Sequence, residues 1–180
     1  MATFKMATKN VLSQSGFDEP VIASNVDFSS ATFPAGHVIQ TVFDHDDTIT
    51  NFGHDTSYVD IGGSDIAITP TSTSSKILYV MNVGCQMVNN NNGVWVQILR
   101  GSTSIRITKI GLGSGGEWVP APLMIATIDS PTIPSTPVAI TYKCQIKVQQ
   151  SVTDDDNART NPNISSGNKG MFIMAQEIVG

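Results

Sequence analysis

Along much of this chain apolar and polar residues alternate with a period of two, the spacing of a strand that has one face in a core and one in water. Val138, Ile140, Tyr142, Cys144, Ile146 and Val148 alternate with Ala139, Thr141, Lys143, Gln145 and Lys147, which predicts a long half-buried strand. Lys76 to Val83 is apolar on both sides, with Ile77, Tyr79, Met81 and Val83 on one and Leu78 and Val80 on the other. That pattern predicts a central strand covered twice. Before it, Ile66 to Thr69 reads as a short strand that Pro70 must end, because proline has no amide to donate. The hydroxyls of Thr71 to Ser75 are expected to close the corner locally, on nearby backbone. Further strands are predicted at Val38 to Phe43, Ser57 to Ile61, Val94 to Arg100, Ile105 to Ile110, Met124 to Asp129 and Met171 to Ile178. Gly101 to Ser104 fits a hairpin loop and Asn92-Gly93 a tight primed turn, so Lys76 to Ile110 is expected to form an antiparallel meander. Pro131, Pro134 and Pro137 stiffen the connection that follows. No helical stripe competes, beyond a turn within the first dozen residues.

A chain of 180 residues can bury roughly 70% of its unfolded surface, enough for a two-sheet core without staples. About eight short strands broken by Gly, Pro, Asn and Ser must stack to hide their apolar faces. The predicted fold is therefore all-β, an antiparallel β-sandwich of jelly-roll type spanning residues 33–180. Residues 1–32 differ: Phe4, Val11, Leu12, Phe17, Val21 and Ile22 are isolated apolar anchors among Ser, Asn, Asp and Lys. They predict an extended arm that docks onto a partner, since buried anchors offset the entropy of ordering a polar segment.

The formal charge is −5, with Lys and Arg scattered, which argues against nucleic acid as a partner. No apolar run approaches the ~20 residues of a bilayer span. Residues 1–10 lack a secretion signal's apolar stretch, so no membrane insertion and a cytoplasmic site of synthesis are expected. In that reducing setting Cys85 and Cys144 are expected to be buried thiols rather than a disulfide. Two cysteines cannot supply a four-thiolate zinc site.

Other constellations read blandly. Gly111 to Gly116 has dinucleotide-loop spacing, but Pro120 and Pro122 follow where a helix must open. Asp44-His45-Asp46-Asp47 and Asp154 to Asp156 lack the alternating oxygens and closing Glu of a calcium loop. His37 and His54 have no nucleophile elbow beside them. No metal, no cofactor and no catalytic residue is expected. The Asn163-Ile164-Ser165 sequon needs a secretory route to matter. Arg100 is expected to be a solvated strand end. An exposed Trp118 with Asn90 and Asn91 could form a platform for host-surface glycan, whereas Trp95 lies within a strand and fits a core equally well.

Several phrases occur in a telling order: Phe33-Pro34-Ala35-Gly36-His37-Val38-Ile39-Gln40, Tyr58-Val59-Asp60, ITPTSTSSKIL from Ile68 to Leu78, ILRGST from Ile98 to Thr103, IDSP from Ile128 to Pro131, Thr141-Tyr142-Lys143, and MAQEI from Met174 to Ile178. Over Phe33 to Gly180 this set resembles a family of β-rich domains of tailed-phage virion proteins, described as tail-fibre or fibre-like and abundant in marine and cyanobacterial phages. The resemblance implies a virion structural role, homotrimers, and assembly in the host cytoplasm onto a capsid or tail/adaptor protein. It supplies no catalytic residue. Only about thirty residues precede the domain, without shaft repeat or heptads. That sets the expectation of a fibre-like or surface-exposed domain held near the particle, with capsid decoration as the alternative and glycan recognition as a further one.

Overall fold

The computed structural model describes residues 2–6, 9–14, 21–22, 33–52, 56–87, 93–111, 119–148, 158–160 and 170–180, and every regular element among them is a strand. The chain divides into two compact units, Met1–Pro34 and Ala35–Gly180. In the first, β1 (Ala2–Met6), β2 (Lys9–Gln14) and β3 (Val21–Ile22) pair in that order, antiparallel. Phe4 pairs with Leu12 and Leu12 with Ile22 in the register of these strands. The segment read as an extended arm thus carries paired strands. Its alternation was hidden because the register shifts between Phe4 and Lys5, leaving Val11 as the extra residue of a bulge. Phe17 lies outside the described residues.

The second unit contains β4 (Val38–Asp46), β5 (Thr50–Asn51), β6 (Val59–Asp60), β7 (Ile66–Ile68), β8 (Lys76–Met87), β9 (Gly93–Arg100), β10 (Thr103–Gly111), β11 (Val119–Asp129), β12 (Ile140–Val148), β13 (Ala158–Thr160) and β14 (Met171–Ile178). One edge of β8 pairs first with β14 and then with β13, which pair onward with β4 and β5; its other edge pairs with β11. In the second sheet β10 pairs with β9, β9 with β12, and β12 with both β6 and β7. Collinear strands make single rows: β4 with β5, β6 with β7, β13 with β14. Numbered in chain order, the rows run 1-8-3-6 in the first sheet and 2-7-4-5 in the second, antiparallel throughout. This is the row order of a jelly roll.

Two expectations are corrected. The meander from Lys76 to Ile110 does not form, because β14 and β11 occupy both edges of β8 and β9 enters the other sheet. Only β9 and β10 make a hairpin, closing Arg100 onto Thr103 through Gly101 at φ 57°. Second, β11 reaches back through Pro122 and Pro120 to Val119. Its free edge needs no amide, so a sheet border tolerates both prolines.

The inner faces meet over Ile77, Tyr79, Met81 and Val83 of β8, Leu123 and Ile125 of β11, Val94, Val96 and Ile98 of β9, and Tyr142, Cys144, Ile146 and Val148 of β12, all buried. Tyr79 and Tyr142 stack across the two sheets at 5.9 Å between centroids. Both cysteines are free and buried, and burial pushes each thiol up to about 12.

Candidate functional site

The outward faces of the two sheets differ in chemistry. Residues directly opposite in an antiparallel pair share a face, so the registers of β4, β14, β8 and β11 give the first sheet's outer surface. Phe43, Met174, Val80 and Ala126 form its middle row. On one side lie His45, Phe172, Asn82 and Met124; on the other, Thr41, Gln176, Leu78 and Ile128. Val38, Ile178 and Lys76 close the end. Phe43 and Met124 are each 70% exposed, and Ile128 is 63% exposed. The double cover expected for Lys76 to Val83 is therefore half present: Ile77, Tyr79, Met81 and Val83 meet the core, while Leu78 and Val80 lie in an apolar face bordered by these exposed side chains.

The second sheet's outer face is more polar, although Ile107, opposite Gln97, is an exposed apolar side chain on it. Gln97 donates to Gln145 (2.5 Å), Gln145 to Asp60 (2.7 Å), and Lys143 to the same carboxylate (2.9 Å). These bonds, Lys143 foremost, hold the Asp60 carboxyl below its ordinary range. Lys109 lies over Trp95 and Lys147 over Tyr58, so cationic side chains cap the aromatics. Trp95 thus belongs to the outer face and not to the core.

Polar fasteners hold the frame that presents these faces. Glu177, fully buried, receives Ser75 Oγ (2.6 Å), the Thr71 amide (2.8 Å), Thr71 Oγ1 (3.1 Å) and the Ser72 amide (3.2 Å) on Oε1, and Gln40 Nε2 (2.5 Å) on Oε2. Burial alone would raise this carboxyl's pKa, but the bonds from Ser75, Gln40, Thr71 and Ser72 hold it below 4.5. The corner at Thr71 to Ser75 is therefore held both by a carboxylate about a hundred residues away and by the expected local bonds, the Ser74 amide donating to the Ser72 hydroxyl (3.3 Å) and the Ser75 amide to the Ser72 carbonyl (3.2 Å). At another corner Arg100 Nη1 donates to both oxygens of Asp129 (3.0 and 2.8 Å), and the Tyr142 hydroxyl to one (2.8 Å). Arg100 is a fastener between sheets, not the solvated strand end expected. A third lies where Gly62 to Asp65 bulge between β6 and β7: Ser64 Oγ receives the Cys144 amide (2.9 Å) and donates to its carbonyl (3.1 Å).

Of the residues predicted to contact partners, Phe4, Leu12, Val21 and Ile22 fall in the first unit's sheet with Val11 at its bulge, while Trp118, Asn90 and Asn91 lie outside the described residues. The acidic run is divided in use: Asp46 accepts from the Thr48 side chain and from its amide (2.6 Å), which together, the side chain foremost, lower its pKa, and His45 lies 3.5 Å from Asp47. Among the described residues no three His, Cys, Asp or Glu side chains converge as a metal would require. The groove beside Gly62 to Asp65, about 420 Å³, is lined by Asp60 and Lys143, already paired with each other.

No known protein family and no curated protein matches the chain. In backbone shape it overlaps a chain of infectious bursal disease virus, Gt strain, at 13% identity and TM-score 0.40, over 95% of this chain and 47% of that one. The infectious bursal disease virus VP2 subviral particle overlaps at 15% identity and TM-score 0.41, over 93% and 42%. A disulfide-linked pilus protein of Bacillus endospore appendages overlaps at 11% and 0.30, over 83% and 96%. This chain spans less than half the length of those viral chains. Overlaps this loose assign neither an activity nor a partner.

Proposed function

We propose that the chain is a structural protein of a tailed-phage virion, a fibre-like, surface-exposed β-sandwich attached to the particle through residues 1–32 and acting without catalysis. The observation that carries the reading is the bare apolar face on Phe43, Met124, Ile128 and Phe172. Soluble domains that work alone seldom leave so much contiguous apolar surface in water, whereas components of assemblies cover it. The phrases behind the family resemblance support the same reading from another side. ILRGST, IDSP and Thr141-Tyr142-Lys143 meet in the Arg100, Asp129 and Tyr142 fastener, and ITPTSTSSKIL meets MAQEI at Glu177. The fold thus brings together segments that are far apart in sequence.

Quantitative mass spectrometry of purified particles tests the proposal. The chain is expected at a fixed copy number, a few to tens for a tail appendage and hundreds for head decoration, and deleting residues 1–32 should leave a folded domain that no longer joins particles. Absence from particles, or incorporation of the truncated chain at the normal level, contradicts it.

A further inference from the structure

We propose that the outer face of the first sheet is the docking site for a second copy of this chain, the two faces packing across a two-fold axis. The inference rests on reading the chain as an assembly component and adds the surface and the symmetry. Size is the first argument. Four rows about 4.8 Å apart and about eight residues long at ~3.3 Å each make a face of roughly 500 Å². Two such faces bury about 1,000 Å², the lower bound for a specific interface.

Charge is the second. The chain carries −5 overall, yet the two central rows, through Phe43 and Thr41, contain no ionisable side chain, and His45 and Lys76 lie in the outermost ones. Identical copies can close over these two central rows without burying a charge, with His45 and Lys76 at the rim, where water can reach them. The third argument is self-complementarity. The uncharged polar groups in the face are Thr41, Asn82 and Gln176, a hydroxyl and two amides that each donate and accept, so one on the two-fold axis can bond its own counterpart and the others can bond one another's copies. Gln176 spends one N–H on Thr41 (3.2 Å) and keeps its carbonyl and a second N–H. Stacked sheets ≈ 10 Å apart would repeat the layer geometry that holds the domain itself together. Identical faces in contact close at two copies, so the unit is a pair and not the three-fold set that the family resemblance implies.

Sedimentation equilibrium of the full chain across the micromolar range is the test. A dimer is expected, and Phe43→Glu or Met124→Glu, at positions outside the core, should weaken it about 100-fold or more while circular dichroism and thermal unfolding stay as in the parent. Lys109→Glu, on the opposite outer face, should leave the dimer intact. A monomeric or trimeric parent, or a dimer indifferent to both face substitutions, overturns the proposal. Copy number in particles is measured separately, so the virion reading can survive or fail independently.

Discussion

Glu177 shows how much one side chain can organise. It is an acid at an inward-facing position of β14, with no exposed surface, and its two oxygens receive two hydroxyls, two amides and the Gln40 carboxamide. Replacing it by Ala leaves the buried Ser75 hydroxyl without its acceptor, worth roughly 1–3 kcal/mol, and strips the partly exposed Thr71, Ser72 and Gln40 donors of theirs at a smaller cost each, so urea unfolding should record a loss of about 2–3 kcal/mol. The sign of the pH dependence follows from the lowered pKa. The stabilising contribution is complete above 4.5 and drains away as pH falls from there through the folded-state value. Glu177→Gln should lose that acid-side slope; an unchanged slope would locate it in another group. None of this was legible in the sequence, where Thr71 to Ser75 supplied an adequate local account of the corner. Arg100 misled in the same way: strand position predicts a solvated end, whereas the partners Asp129 and Tyr142 arrive from rows that only the topology makes neighbours.

At the scale of elements, alternation located strands well and their partners poorly. The row Tyr142 to Val148 is a buried face as its period predicts, because a side-chain period of two needs no knowledge of neighbours. Pairing depends on which edges are free, and β8 has none left for β9. Prolines hid the first part of β11, since the sequence cannot tell a border row from an interior one. The bulge between β6 and β7 offers a direct check. Gly63 has φ 72°, and a Cβ there would collide with the Asp46 side chain. Gly63→Ala combines left-handed strain with that clash, and should cost about 1–3 kcal/mol by thermal or chemical unfolding. A neutral outcome would show that the Asp46 turn moves freely away from the bulge.

At the scale of the whole molecule, the fold class was readable and the surface was not. Short strands with turn-forming breaks are enough to predict stacked antiparallel sheets, and the 1-8-3-6 and 2-7-4-5 row orders realise them as a jelly roll. The apolar outer face emerges only when β4, β14, β8 and β11 are laid side by side, because each strand contributes a few ordinary outward residues. On one sheet those residues are mostly Phe, Met, Ile, Leu and Val, with Thr41, Asn82 and Gln176 among them; on the other they are mostly Lys, Gln and Asp with the aromatics capped and Ile107 exposed. On the proposed reading, the first sheet's apolar outer face is the one covered in the particle. The most direct measurement is a cryo-electron-microscopy map of the intact particle at side-chain resolution. It should show protein density packed over Phe43, Met124, Phe172 and Ile128; a map in which these side chains face open solvent, or from which the chain is missing, would contradict the account.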